Sequence, residues 1–151
     1  MLRNLFVSLL VMLAAVSFAQ SSGGAAAATG AATLGVSENE TLGEFLVDAE
    51  GMTLYLYTED SENTSNCYDD CASAWPPLLT EGEATVGEGL DAALLGTTER
   101  TDGTVQVTYG GWPLYYWVRD EAPGDTTGQD VGEVWYVVSP AGEAVHEAGG
   151  E

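Results

Sequence analysis

Two segments of the chain alternate in a way that is typical of β-strands. In Met52–Tyr57, methionine and leucines fall on one face, and threonine and tyrosines fall on the other. Trp112–Val118 shows the same alternation with tryptophan, leucine, tyrosine and valine opposite proline, tyrosine and tryptophan. Because both faces carry bulky side chains, we expect both strands to be covered on both sides.

Other segments extend this pattern. Thr104–Tyr109 and Val134–Val138 are strand-like, and Pro113, which lacks an N–H donor, indicates a strand edge or a strand start. Helix is scarce: Gly89–Leu95 is long enough for about two turns, and Asn66–Trp75 for a short one before a Pro-Pro stop. The predicted fold class is all-β, mainly antiparallel, as a small compact domain with one or two short helical turns.

The chain also contains an internal repeat. A shift of 60 residues superposes 41–80 on 101–140, and glycine, leucine, tyrosine, aspartate and tryptophan recur in step without a gap. Two similar halves commonly pack about a pseudo-twofold axis, each covering what the other leaves exposed. We therefore predict one duplicated domain built from two pseudo-symmetric repeats.

The ends of the chain have a different composition. Residues 1–19 have a positive start, an apolar run and small residues before Gln20, which predicts a signal peptide; the apolar run is shorter than the ~20 residues of a membrane span. Residues 20–39, rich in Ser, Gly and Ala, are expected to be a flexible leader. The duplicated domain is predicted at 40–148, outside the cytoplasm, in the periplasm, the cell envelope or the extracellular space, with no transmembrane span in the mature form.

Charge limits the choice of partners. The chain has 24 acidic residues and three basic ones, and its formal net charge is −21. Loss of the predicted signal peptide removes Arg3 and leaves two arginines against 24 acids, a formal charge of −22. Such a charge repels phosphate backbones and anionic membranes, so no nucleic acid partner is expected. It favours cationic partners, or a plain solvated surface.

Recurring aromatic and acidic residues are the candidate binding residues. Asp60 and Asp120 each follow an aromatic by three positions at a predicted strand end. Such an aspartate caps a turn by accepting from N–H groups two residues on; the alternative is a carboxylate pair for a metal or acid–base chemistry. The motif residues are Tyr55, Tyr57, Asp60, Trp75, Tyr115, Trp117, Asp120 and Trp135.

These motifs resemble a known family. Tyr55-x-Tyr57-x-x-Asp60 and Tyr115-x-Trp117-x-x-Asp120 are similar to the Tyr-x-aromatic-x-x-Asp signature of bacterial secreted-repeat predicted lipoproteins. The segments 67–78 and 106–115 fit the same pattern, so the resemblance covers about 45–140. It implies location and architecture, since no function is established for the family. Many members carry a lipid-anchor cysteine, which this sequence lacks near the predicted cleavage point.

Two cysteines allow two interpretations. In an exported protein Cys67 and Cys71 are expected to form a disulfide, which would pin a local turn. If reduced, they and His146 would offer two thiolates and an imidazole to Cu(I). That spacing is similar to the Cys-x-x-x-Cys plus distal His of secreted copper chaperones, without their flanking proline. A related hypothesis is a copper-dependent superoxide dismutase. In the mature chain, only Arg100 and Arg119 would be available to attract the superoxide anion.

The functional prediction is therefore a coarse one. No phosphate loop or nucleophile elbow occurs, and a Ser-His-Asp triad would have to use His146, the one histidine of the chain. We predict an exported, very acidic binding module of the cell envelope with no cofactor, whose partner is an envelope protein or a glycan. The alternative is a copper-binding redox protein. The acidic pairs Glu59-Asp60 and Asp69-Asp70 would hold calcium only weakly.

Overall fold

The computed structural model describes residues 30–146. Eight strands lie in this part of the chain: β1 Thr33–Asn39, β2 Gly43–Val47, β3 Tyr55–Tyr57, β4 Thr85–Val86, β5 Leu95–Glu99, β6 Val105–Tyr109, β7 Trp112–Pro113 and β8 Trp135–Val137. Its helical segments are α1, Asp70–Ala74, and 3-10 turns at Ala92–Leu94 and Val131–Glu133. The predicted signal peptide, residues 1–19, lies outside the described residues.

The strands form three small sheets. Their orders are β2-β1-β4, β3-β8 and β5-β6-β7, and every pair is antiparallel except β1 with β4. The prediction of an all-β, mainly antiparallel fold with short helical turns is confirmed. Pro113 lies in β7, at the edge of its sheet, where a missing N–H donor leaves the ladder intact. No helix within residues 30–146 is long and apolar enough to cross a membrane.

Two boundaries differ from the predictions. The flexible leader was predicted to extend to residue 39, but β1 begins at Thr33, buries Leu34 completely and pairs with β2 from Gly35 onward. The helix predicted over Gly89–Leu95 is a single 3-10 turn, Ala92–Leu94, which ends where β5 begins. In both places, pairing with a neighbouring strand outweighs the local sequence pattern.

The strand β3 separates two hydrophobic cores. Leu54 and Leu56 face one side, and Tyr55 faces the other, so the prediction of a strand covered on both sides is confirmed. The buried residues of the leucine core are Leu34, Leu46, Leu54, Leu56, Leu78, Ala84, Val107, Tyr109, Leu114, Tyr136 and Val138. Those of the aromatic core are Leu42, Phe45, Val47, Tyr55, Cys67, Trp75, Tyr115, Trp135 and Val137.

The second alternating segment follows the same division over a shorter length. Leu114 lies in the leucine core and Tyr115 in the aromatic core, as predicted. The covered strand was expected to continue through Val118, but Val118 is 54% exposed. Only Trp112–Pro113 joins a ladder; Tyr115 makes isolated bridges to Tyr55 and Pro77, and the chain then turns at Trp117–Asp120.

The two repeats meet at a pair of equivalent tyrosines. The N–H of Tyr55 donates to the carbonyl of Tyr115 over 2.8 Å, and the N–H of Tyr115 donates to the carbonyl of Tyr55 over 2.9 Å. Around this pair Tyr55 lies opposite Val137, and Tyr115 lies opposite Pro77, its equivalent partner 60 residues earlier. Such a reciprocal pair is what a pseudo-twofold axis between the repeats produces.

Candidate functional site

Two equivalent tryptophans lie at the centre of the aromatic core. Trp75 follows α1, and Trp135 begins β8. Their rings stack with centroids 3.9 Å apart and planes 2° from parallel. Both are at most 5% exposed. The tryptophans that the repeat aligns in sequence are therefore in direct contact across the axis.

Each central tryptophan also carries an outer ring from the opposite repeat. Trp117 stacks on Trp75 with centroids 4.0 Å apart, and Tyr57 stacks on Trp135 at 4.3 Å. The result is a continuous pile of four rings, which we call the aromatic stack: Trp117, Trp75, Trp135 and Tyr57. Its two outer rings are half-buried, so the stack runs from one partly exposed ring to another through the core.

The axial tyrosines contact the stack with their edges. Tyr55 meets Trp75 at 5.4 Å between centroids and 79° between planes, and Tyr115 meets Trp135 at 5.2 Å and 90°. Edge-to-face contact matches the positive edge of one ring to the negative face of the other. Gly128 makes room for this arrangement, since a Cβ there would lie 2.8 Å from Trp75 and 2.9 Å from Tyr55.

The phenol groups are exchanged between the repeats. The hydroxyl of Tyr55 donates to Oδ2 of Asp120 over 2.6 Å, and that of Tyr115 donates to Oδ2 of Asp60 over 2.7 Å. Each tyrosine therefore binds the aspartate of the other repeat's motif, although an aspartate five residues away lies in its own. This exchange joins the halves by buried, charge-assisted hydrogen bonds.

Each aspartate also closes its own loop through Oδ1. Asp60 accepts from the N–H of Asn66 at 2.7 Å, and Asp120 accepts from the N–H of Thr127 at 2.9 Å. The structure thus gives both aspartates a capping role, but across six and seven residues rather than the two expected from the sequence. Because each carboxylate holds a loop and a phenol, its oxygens are engaged in structural hydrogen bonds.

Burial has the largest effect on the pKa values of Asp60, Tyr55 and Tyr115. It raises the pKa of Asp60 above the ordinary 3.8, although hydrogen bonds from Tyr115 and Asn66 and the charge of Arg100 act in the opposite direction. Burial, reinforced by the neighbouring carboxylate, raises the pKa of the phenols of Tyr55 and Tyr115 far above 10.0. At neutral pH the tyrosines are therefore protonated donors.

Arg100 has a role that the sequence did not reveal. In the superoxide dismutase hypothesis it would attract the superoxide anion, but it is only 5% exposed and donates to Ser65, to Gln106 and to the carbonyl of Cys67. Ser65 in turn lies 2.5 Å from the hydroxyl of Tyr115. Arg100 therefore supports one phenol–carboxylate pair. The single sign of this role in the sequence is that Arg100 is one of only two arginines beyond residue 19.

The second pair has different support. Thr127 donates to Asp120 from both its N–H and its hydroxyl, and the N–H of Gly128 donates to the hydroxyl of Tyr55 over 3.1 Å. Sequence reasoning missed both residues, and Ser65 and Gln106 as well, because small polar residues in loops carry no periodic signal. The two pairs are thus alike in their core and different in their surroundings.

The cysteines form the predicted disulfide. Cys67 and Cys71 are bonded, with Cα atoms 5.2 Å apart, and Cys71 lies within α1. Closing so short a loop stabilises the fold by about 2 kcal/mol on chain-entropy arithmetic.

The bonded sulfurs are not the thiolates that the copper hypothesis requires, and His146 packs against the ring of Tyr136 instead. Within residues 30–146, no three His, Cys, Asp or Glu side chains are grouped to hold a metal ion, so the copper and calcium hypotheses gain no support.

We expect the tyrosines to ionise in separate steps as the pH is raised, because some of their phenols are buried. Burial also raises the pKa of Tyr116, whose hydroxyl donates to Asp48 over 2.7 Å. Because the folded pKa values exceed the ordinary one, the stability that these phenols contribute is complete below pH 10.0 and is lost as the pH rises further. We expect phenolate absorbance from these three of the seven tyrosines only when circular dichroism shows unfolding. Seven phenols ionising together around pH 10.0, with the fold intact, would contradict this.

Together, the fold and the site define a class of protein: a duplicated β domain whose repeats exchange aromatic rings and phenol–carboxylate bonds across a pseudo-twofold axis. The chain belongs to the family described as a secreted repeat of unknown function, whose model matches residues 37–79 and again residues 96–139. The two matches cover more than half of the chain, and each overlaps one of the two predicted repeats. The predicted family resemblance and the export of the protein are thereby confirmed. No curated protein and no solved structure matches the chain.

Proposed function

We propose that this exported protein is a protein-binding module, and that its contact surface is an exposed patch at the Trp117 end of the aromatic stack. The patch, called here the Trp117 patch, consists of Trp117, Val118, Arg119, Thr127 and Val131. All but Val118 line a shallow depression of about 580 Å³. The guanidinium of Arg119 lies 5.6 Å from the Trp117 ring centre. Trp117 is half-buried and Arg119 is exposed, and tryptophan and arginine are among the residues that most often dominate protein interfaces.

The exposure of Val118 is the observation that carries the proposal. At 54%, it is the one large hydrophobic side chain that is exposed among residues 30–146. It lies next to Arg119, and of the two arginines in this range Arg119 is exposed while Arg100 is buried. The patch therefore combines an unusual apolar side chain with an unusual cation on a very acidic surface.

The comparison between repeats supports the same surface. The buried positions are kept in both copies, as Tyr55 with Tyr115 and Asp60 with Asp120 show. The residues of the exposed turn differ between the copies: Trp117-Val118-Arg119 takes the place of Tyr57-Thr58-Glu59. A turn needed only for folding has no reason to become apolar and basic in one copy, whereas a contact surface does.

The charge of the protein indicates the chemistry of the partner. A chain with a net charge of −21 attracts a protein whose surface is basic. At the contact itself, Arg119 requires a carboxylate and Val118 an apolar pocket. The Arg119 side chain stands over the Trp117 ring, where a sugar ring would stack, which favours a protein over a glycan.

The test uses the two turns as a matched pair. A photoreactive amino acid replaces Val118 in one variant and Thr58 in the other, and both variants are illuminated in the cells that produce them. We expect a protein cross-linked at position 118 and absent at position 58. The cross-linked protein is then purified and its affinity for each form of the chain is measured. It should bind the triple variant Trp117→Tyr/Val118→Thr/Arg119→Glu ~30-fold more weakly than it binds wild type, which is the effect of a hot spot of about 2 kcal/mol.

A control variant, Thr58→Ala/Glu59→Ala, should bind as wild type does. Equal cross-linking at both positions, a glycan as the sole product, or unchanged affinity of the triple variant would overturn the proposal.

A further inference from the structure

A continuous path of ring contacts connects the surface of the protein to two buried phenols. Along the aromatic stack successive centroids are 4.0, 3.9 and 4.3 Å apart. Tyr55 and Tyr115 then touch the two central tryptophans at 5.4 and 5.2 Å. Tryptophan and tyrosine are the side chains that lose one electron most easily among those without sulfur. Rings in contact exchange that electron hole rapidly.

Each phenol at the end of this path has a proton acceptor in place. A tyrosine that loses one electron must also release its phenolic proton, because the oxidised phenol is a very strong acid. Oδ2 of Asp120 lies 2.6 Å from the hydroxyl of Tyr55, and Oδ2 of Asp60 lies 2.7 Å from that of Tyr115. These distances are within the range in which a positioned base takes a proton directly.

Loop closure uses Oδ1 of each aspartate and does not account for the phenol bonds at Oδ2. Asp60 and Asp120 are only 7% and 8% exposed, and burying a carboxylate is unfavourable even when it is hydrogen-bonded. Phenylalanine in place of both tyrosines would keep the ring contacts and remove the need for an acceptor. The chain instead places a base at both points where the stack meets a fully buried tyrosine.

We propose that the aromatic stack is a one-electron relay that moves oxidising equivalents from the protein surface to Tyr55 and Tyr115. A one-electron oxidant, a radical or an oxidised metal complex, takes an electron from Trp117 and is thereby reduced. The hole passes through Trp75 and Trp135.

At the end of the relay, Tyr55 gives an electron to the stack and its proton to Oδ2 of Asp120. The O–H bond of the phenol breaks and an O–H bond forms on the carboxylate. The product is a neutral tyrosyl radical beside a neutral carboxylic acid, and Tyr115 with Asp60 reacts in the same way. A one-electron reductant such as ascorbate returns the electron, and the aspartate returns the proton.

Pulse radiolysis with the azidyl radical, which oxidises tryptophan before tyrosine, tests the relay. A Trp112→Phe background removes the tryptophan outside the stack, which packs on the leucine core. We expect the tryptophan radical to convert to a tyrosyl radical in a first-order step that is independent of protein concentration and slower in D₂O. Conversion that is only bimolecular, or that is equally fast in D₂O, would overturn the proposal.

Matched variants separate the relay from simple packing. Asp60→Asn/Asp120→Asn should slow the conversion by roughly 100-fold, the lower range of what a positioned base contributes. Asp48→Asn is the control, because Asp48 binds the buried phenol of Tyr116, whose ring faces the leucine core. It should convert at the wild-type rate.

If the double asparagine variant fails to fold, Tyr55→Phe/Tyr115→Phe provides the same test, since the rings remain. There the tryptophan radical should persist. An unchanged yield of tyrosyl radical in the phenylalanine variant, or unchanged rates in the asparagine variant, would show that the stack is only a core.

Discussion

Replacing Trp135 with alanine is expected to lower the free energy of unfolding by about 4 kcal/mol, the loss typical of a buried tryptophan. Trp135 is 4% exposed and contacts Trp75, Tyr57 and Tyr115 with its ring. Its removal empties the centre of the aromatic stack and ends three ring contacts at once. Urea unfolding followed by far-ultraviolet circular dichroism measures the change without relying on tryptophan fluorescence.

Trp112 provides the matched control for this experiment. It is also a tryptophan in a short strand, but it is half-buried and packs on the leucine core, outside the aromatic stack. Trp112→Ala should therefore reduce the free energy of unfolding by much less. Equal losses for the two variants would mean that stacking across the axis adds nothing to stability.

Asp120→Ala is expected to lower the free energy of unfolding by about 3 kcal/mol, because a buried phenol loses its charged acceptor and a loop loses its cap. The exchanged pairing makes a sharper prediction through double-mutant cycles. Tyr55→Phe and Asp120→Ala should show an interaction free energy of at least about 1 kcal/mol, as residues in direct contact do.

Asp60 supplies the control cycle. It is the aspartate of Tyr55's own motif, but its carboxylate binds Tyr115. Tyr55→Phe and Asp60→Ala should therefore be additive to within about 0.5 kcal/mol. Coupling of Tyr55 to Asp60 rather than to Asp120 would refute the exchange between repeats.

The repeat and the alternation of side chains predicted much of this architecture. Bulky residues on both faces of Met52–Tyr57 required cover on both sides, and the shift of 60 residues predicted that Trp75 and Trp135 would be equivalent. The exchange itself was not predictable. The repeat says that Tyr55 corresponds to Tyr115, but it does not say which of two equivalent aspartates each phenol binds.

Other features depend on contacts that are distant in the sequence. Leu34 lies among glycine, alanine and threonine, so the sequence shows no clear strand pattern for β1. The strand is evident only from its pairing with β2 and β4. The burial of Arg100 depends on Ser65, 35 residues earlier, and on the carbonyl of Cys67, 33 residues earlier. The position of Arg100 in the sequence gives no indication of either partner.

The exchanged bonds also affect how the protein matures. Tyr55 and Asp120 are 65 residues apart, and because a chain is synthesised from its N-terminus, the first repeat emerges before the second. Until the later half emerges, the early half lacks both the carboxylate for its phenol and the indole for Tyr57. Because each half takes its buried partners from the other, we expect the two repeats to fold together rather than one after the other.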